Sequence, residues 1–185
     1  MWWVPDELDV WALATQASAE LPNGCINFTL HRDRTTVPFQ AAACILAQGE
    51  LNVPEDLVFL HDVNQATILH CIRDRFKAKK IYTSVGAVLM SVNPFETIKG
   101  IYGEAVVARY ADADAKLPAH VYEVPARAYD NMCRLGGNQS ILISGESGAG
   151  KTEATKQCLS FLTEVTKTKT KNTEAETETE TGAGA

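Results

Sequence analysis

The most informative part of this chain is Ser140-Ile141-Leu142-Ile143-Ser144-Gly145-Glu146-Ser147-Gly148-Ala149-Gly150-Lys151-Thr152. It joins a short apolar run to a glycine-rich loop and ends with Lys-Thr at the start of an amphipathic segment. The part from Gly145 to Thr152 matches G-x-x-x-x-G-K-[ST], the pattern of a phosphate-binding loop. With average residue usage, a chain of this length matches the pattern by chance about once in one or two hundred cases. The stretch therefore predicts a strand, a phosphate-binding loop and a helix in succession.

The residue types in the loop fit phosphate chemistry. Glycine lets the backbone adopt positive φ and approach a ligand closely, so that successive N–H groups form an anion-binding nest. The N-terminus of the following helix adds unpaired amides and a positive dipole end. We expect Lys151 to reach the β- and γ-phosphates and the Thr152 hydroxyl to bind Mg²⁺. The residues expected to line the phosphate site are Gly145, Glu146, Ser147, Gly148, Ala149, Gly150, Lys151 and Thr152.

The flanking residues supply the context that the motif requires. Ile141-Leu142-Ile143 has the pattern of a fully buried strand. After the loop, apolar residues recur at helical spacing, at Ala154, Cys158, Phe161, Leu162 and Val165. The alternative interpretation of the loop is a glycine-rich turn that binds nothing.

Composition limits the class of protein. The chain has 185 residues, 45% of them hydrophobic, which is enough for one core or for one domain and part of another. Its net charge of −6 argues against nucleic-acid binding. The five cysteines form no C-x-x-C pair, which favours buried thiols over a disulfide framework or a zinc site. We expect a soluble, cytoplasmic protein, because no apolar run is long enough to span a membrane.

Residues 2–48 have the pattern of a small β unit. Asn23-Gly24 is a hairpin signal, and Ile26, Phe28 and Leu30 alternate with polar residues as in a half-buried strand. The three tryptophans of this region are expected to pack in a core. The polar connection that begins at Gln48-Gly49-Glu50 is the best candidate for a domain boundary.

The middle of the chain predicts alternating helices and strands. A helix capped by Asp62 or Asn64 is followed by two strands joined around Gly86. A short helix is predicted over Glu104 to Tyr110 and a longer one up to Leu135, where two glycines stop it. After Val165, threonine alternates with lysine and then with glutamate, so residues 167–185 are expected to be a disordered tail.

Several motifs, in the same order along the chain, resemble the myosin motor head. The sequence from Asn138 to Glu153, NQSILISGESGAGKTE, has the form that myosins use. Ile81-Tyr82-Thr83 and Val92-Asn93-Pro94-Phe95 resemble the strands and the purine loop of that head. Trp3-Val4-Pro5-Asp6 resembles the small SH3-like barrel that precedes many myosin heads. The resemblance covers about residues 2 to 166.

The resemblance implies the fold and the ligands. The fold would be α/β, a P-loop NTPase-type motor-head fragment (54–166) preceded by an SH3-like β-barrel (2–48). Gly145 to Thr152 would bind the ATP phosphates and Mg²⁺. Asn93, Pro94 and Phe95 would line the adenine side, with Tyr102 near the base. Glu96 departs from the family, which usually has a lysine after the purine-loop aromatic residue.

The family moves on actin filaments by hydrolysing ATP, and the resemblance implies a cytoskeletal location. Its two switch segments and its actin-binding halves follow the point where this sequence ends. Phosphoryl transfer needs a positioned water and charge stabilisation at the γ-phosphate. We therefore expect a truncated motor head that binds the nucleotide but is not catalytically competent alone. Two alternatives stay open: a different P-loop NTPase, and a non-catalytic module that binds a partner through the N-terminal barrel.

Overall fold

The computed structural model of the protein describes residues 1–47, 52–111 and 116–182, with side chains up to residue 168. The boundary predicted at Gln48-Gly49-Glu50 lies outside the described residues. Contacts divide the chain into two compact units. The first comprises Met1–Pro54 with Phe59–Asp74, and the second comprises Glu55–Val58 with Arg75–Ala185.

An antiparallel sheet forms the first unit, and five of its strands lie among the described residues in the order β4-β3-β2-β1-β5. Ile26, Phe28 and Leu30 alternate inward along β3, which confirms the predicted half-buried strand. Asn23-Gly24 lies in the connection between β2 and β3, which pair antiparallel as the hairpin signal predicts. The strands are β1 (Trp2–Asp6), β2 (Val10–Gln16), β3 (Cys25–Leu30), β4 (Thr36–Gln40) and β5 (Ile45–Leu46).

A helix completes the core of the first unit. Helix α1 covers Gln65–Lys77, and the Asn64 side chain caps it by accepting a 2.9 Å hydrogen bond from the N–H of Thr67. Trp3 is 2% exposed and lies in one cluster with Ala66, and its ring is 5.2 Å from that of His70. The first unit therefore includes residues of α1 beyond the predicted region 2–48.

The second unit begins with a β-hairpin. Strands β6 (Tyr82–Val85) and β7 (Val88–Ser91) pair antiparallel around the predicted turn at Gly86. The buried guanidinium of Arg75 donates a 2.9 Å hydrogen bond to the Thr83 hydroxyl and a 2.8 Å bond to the carbonyl of Tyr82. Arg75 belongs to this same unit, so these bonds hold the hairpin in place within it.

Three helices build the core of the second unit: α2 (Glu104–Tyr110), α3 (Glu123–Leu135) and α4 (Lys151–Gly182). Their bounds confirm the predicted short helix and the predicted end at Leu135. Gly136 follows in the left-handed region, with φ of 66°, and its N–H bonds the carbonyl of Met132. Tyr122, Phe161 and Val165 are all buried in this core. Helices and sheets thus mix, as the α/β prediction requires.

The prediction of a strand at Ile141-Leu142-Ile143 is wrong. The segment before the loop has no strand assignment, and Leu142 is 92% exposed. A β-strand needs a neighbouring strand, because its backbone N–H and C=O groups form their hydrogen bonds with that neighbour. Among the described residues, the sheets contain only β1 to β7, and none of these strands pairs with residues 141–143.

The structure also differs from the prediction that residues 167–185 are disordered. Helix α4 continues to Gly182, and residues 183–185 lie outside the described part of the chain. The reason is local. Lys167, at the start of this segment, pairs with Glu164 on the preceding turn of the helix at 3.0 Å. Extending an existing helix costs far less than starting one, so lysine, alanine and glutamate can propagate it.

Candidate functional site

The glycine-rich loop turns sharply before α4. Gly148 and Gly150 have φ of 80° and 92°, in the region that favours glycine. The N–H of Ala149 closes a turn by donating to the carbonyl of Glu146 at 3.2 Å. A Cβ at Gly145 would lie 3.2 Å from the Cβ of Ala149, a tight contact that would require Ala149 to shift slightly. The loop therefore follows a tight backbone path, with positive φ at Gly148 and Gly150.

The N-terminus of α4 opens directly out of this loop. The first intrahelical hydrogen bond runs from the N–H of Ala154 to the carbonyl of Gly150 at 2.9 Å. The N–H groups of Lys151, Thr152 and Glu153 precede that bond and are the unpaired donors of a helix start. Thr152 is exposed here. Donors and dipole together make this end of the helix attractive to an anion.

The side chain of Lys151 folds back over the loop. Its ammonium donates hydrogen bonds of 2.7 Å to the carbonyl of Gly145 and 2.7 Å to the carbonyl of Glu146. A lysine at this position holds its charge over the loop, where phosphate oxygens could replace the two carbonyls. The backbone turns, the free helix amides and this cation together fit a phosphate group.

Asn93 brings a second predicted segment to the loop. Its side-chain amide donates a 2.7 Å hydrogen bond to the carbonyl of Gly148. A Cβ at Gly150 would lie 3.8 Å from the Cβ of Asn93, so the two segments are in direct contact. The structure thus places the predicted base-side loop beside the predicted phosphate loop.

The remaining residues of that loop are arranged by Asn93. The N–H of Phe95 donates to the Asn93 side-chain oxygen at 3.0 Å, and Phe95 takes a positive φ of 51°. Its ring is 83% exposed, while Pro94 is half-buried. Glu96 forms an ion pair with Lys79. The negative charge that departs from the family pattern is therefore paired within this unit.

Tyr102 lies in an aromatic cluster rather than in a loop contact. Its hydroxyl shares a 2.6 Å hydrogen bond with the hydroxyl of Tyr82, and its ring packs edge-on against His120 at 5.8 Å. Burial raises the pKa of Tyr102, and the charge of Glu153 raises it further. Tyr102 and Ala154 of α4 pack against the same buried core, and the hydroxyl of Tyr102 is bonded to that of Tyr82.

His120 is the centre of that cluster. Its Nδ1 accepts a 3.1 Å hydrogen bond from the N–H of Tyr122, so its Nε2–H donates to the carbonyl of Ile101 at 2.9 Å. Burial lowers the pKa of His120 to about 4. The imidazole is neutral and structural, and it fixes the segment before α3.

Three groups of the site were missed by the sequence reasoning. Lys79 pairs with Glu96 across a sequence gap that no local pattern signals. Gln157 donates a 2.8 Å hydrogen bond to Glu153, and the i, i+4 spacing of these two residues could have revealed the pair. Tyr122 reaches the same glutamine from α3, which only the packing shows.

Within 1–47, 52–111 and the described side chains from 116 onward, no group of three or more His, Cys, Asp or Glu residues could hold a metal ion. No helix in the described part of the chain has both the length and the apolar character needed to cross a bilayer.

Comparison with known proteins identifies the class as a motor domain. A family model described as myosin head (motor domain) matches residues 54–181, which is more than half of the chain. The chain belongs to this family. The match does not favour the alternative that the loop belongs to a different class of P-loop protein.

Individual relatives agree with the family. The high molecular weight form of myosin-1 from Acanthamoeba castellanii is 48% identical over 112 residues, covering 60% of this chain and 7% of the relative. Myosin-M heavy chain from Dictyostelium discoideum is 45% identical over 109 residues, 58% of this chain and 6% of the relative. Myosin-4 from Arabidopsis thaliana is 37% identical over 169 residues, 87% of this chain and 15% of the relative. The chain thus spans a small part of each relative's length.

Proposed function

We propose that the loop from Gly145 to Thr152 binds the phosphates of ATP. The observation that carries the proposal is the ammonium of Lys151, held 2.7 Å from two carbonyls of its own loop at the start of α4. A cation, free helix amides and glycine turns in one place are the elements of a phosphate site. The hydroxyl of Thr152 would bind Mg²⁺, and the metal would neutralise part of the negative charge on the phosphates.

The base of the nucleotide would lie on the side of Asn93, Pro94 and Phe95. Asn93 supports this placement because it contacts the loop directly, through Gly148. The exposed ring of Phe95 offers a flat apolar surface. Tyr102 would contribute its ring edge, because its hydroxyl is already bonded to Tyr82.

For the whole protein we propose ATP-driven movement on actin and a cytoplasmic, cytoskeletal location, by membership of the family. The antiparallel sheet of the first unit would be an SH3-like subdomain over about residues 2–48. Residues 54–166 would be the part of the motor domain that carries the P-loop. No described residue is assigned to actin in this proposal.

The test is a titration of the full chain with a fluorescent ATP analogue, with and without Mg²⁺, beside Lys151→Ala. Saturable binding that Mg²⁺ strengthens and Lys151→Ala abolishes is the expected result. Lys167→Ala is the matched control, because it removes a lysine from the same helix four turns away. Equal affinity of the wild-type chain and Lys151→Ala would refute the phosphate assignment.

A further inference from the structure

Glu153 is held by two side chains of its own helix. Its carboxylate accepts a 2.8 Å hydrogen bond from the side-chain amide of Gln157 and lies 3.7 Å from the ammonium of Lys156. Both partners are one turn further along α4, at i+3 and i+4. The carboxylate is therefore drawn toward the second turn of the helix, away from the loop.

Gln157 is itself fixed by the core. The hydroxyl of Tyr122 donates to its side-chain oxygen at 3.1 Å. Tyr122 is 2% exposed, and its ring lies 5.2 Å from that of Phe161. Because the glutamine oxygen accepts from Tyr122, its nitrogen is the atom that faces Glu153. The core thus determines the orientation of the amide, and the amide holds the carboxylate.

Glu153 lies in the first turn of α4, directly after the predicted phosphate loop. With α4 beginning at Lys151, Glu153 is the third helical residue, and Gly150 is the N-cap. A glutamate at the third position commonly reaches back to the N–H of the N-cap residue. Here that N–H belongs to the glycine loop. A released Glu153 would occupy a loop donor and bring a negative charge beside Lys151.

We propose that Gln157, anchored by Tyr122, is a positioning residue that keeps the Glu153 carboxylate away from the loop amide of Gly150 and so leaves that amide to a phosphate. The inference rests on the proposed nucleotide function of the loop. Gln157 touches neither the loop nor a ligand, and it acts only through Glu153.

The experiment measures the affinity of the full chain for a fluorescent ATP analogue with Mg²⁺ in a set of variants. Gln157→Ala should weaken binding about two- to five-fold, the effect of one charge at a helix N-terminus. Gln157→Lys should restore binding, because a lysine at i+4 also holds a glutamate. Ser160→Ala is the matched control, an exposed position on the same helix.

A merely structural role is distinguished by a double-mutant cycle. In a Glu153→Ala background, Gln157→Ala should have no effect on affinity, since the carboxylate that it releases is gone. The loss in the single variant should also shrink at high salt, because it is an effect of charge.

The outcomes separate the two proposals. If the wild-type chain does not bind the analogue, both the nucleotide function and this inference fail. If it binds, and Gln157→Ala binds equally well or weakens binding by the same factor with and without Glu153, only the role of Gln157 is overturned.

Discussion

The side-chain amide of Asn93 donates a 2.7 Å hydrogen bond to the backbone carbonyl of Gly148. The two residues lie far apart in sequence, yet this bond joins the predicted base-side loop to the predicted phosphate loop. The same side chain accepts a hydrogen bond from the N–H of Phe95. Asn93 therefore determines both the conformation of its own loop and its contact with the neighbouring one.

Asn93→Ala should weaken binding of a fluorescent ATP analogue about three- to ten-fold, since a hydrogen bond of this kind contributes roughly 1 kcal/mol. Without this hydrogen bond the two loops are less well fixed relative to each other in the free protein, so binding must order them. Affinity is measured by titration of the purified chain. Asn138→Ala, at an exposed position, serves as the control. Unchanged affinity in Asn93→Ala would show that the contact does not organise the site.

Gly148→Ala should weaken binding by about five-fold or more through backbone strain. Nothing lies within 4 Å of a Cβ at this position, so an alanine fits in space. Its φ of 80°, however, costs a residue with a Cβ about 1–2 kcal/mol. Gly137→Ala is a matched control, because its surroundings are equally open. If both variants bind alike, the conformation of Gly148 is not required for binding.

Acid should destabilise the fold through His120. The unfolded chain binds a proton on this residue below about pH 6.5, whereas burial lowers the folded-state pKa of His120 to about 4. Between these values the unfolded state holds more protons, so the free energy of unfolding falls as the pH drops. The loss from this residue is about 3 kcal/mol between pH 7 and pH 4.

The measurement for His120 is urea unfolding at several pH values, for the wild-type chain and for His120→Gln. Carboxylates also titrate in this range, so the informative quantity is the difference between the two pH profiles. His31→Gln is the control, because His31 is only partly buried and its ring bonds the Thr15 hydroxyl at an exposed position. A wild-type profile that runs parallel to that of His120→Gln would contradict the assignment of a neutral, buried imidazole.

Phe161→Ala should cost about 3–5 kcal/mol in the free energy of unfolding, the usual range for removing a buried phenylalanine. Phe161 is 0% exposed and packs against Tyr122. Leu159→Ala, on the same helix, should change stability by less than about 0.5 kcal/mol because Leu159 is 59% exposed. Denaturant unfolding of both variants makes the comparison.

Elements with local signals were predictable from the sequence. The Asn64 cap, the helix from Glu104 to Tyr110 and the stop at Gly136 each depend on residues within one turn. The positive φ angles of Gly148 and Gly150 were predictable for the same reason, because glycine adopts them at no steric cost.

Features that depend on distant residues were not predictable. The segment at Ile141-Leu142-Ile143 has a strand-like composition but no strand assignment, because a ladder needs a neighbour that composition does not reveal. The contact between Asn93 and Gly148 and the pair of Lys79 with Glu96 are set by packing. The family resemblance suggested a set of candidate site residues, but it did not indicate the hydrogen bonds and ion pairs among them.

The two hydrogen bonds from Lys151 to the carbonyls of Gly145 and Glu146 bear on the heat of ligand binding. A phosphate that takes up the ammonium must first break both of these bonds, so binding is an exchange of partners rather than a net gain of contacts. We therefore expect a calorimetric enthalpy smaller than a count of phosphate contacts suggests. The same two bonds already hold the lysine side chain in place, which reduces the conformational entropy lost when the ligand binds.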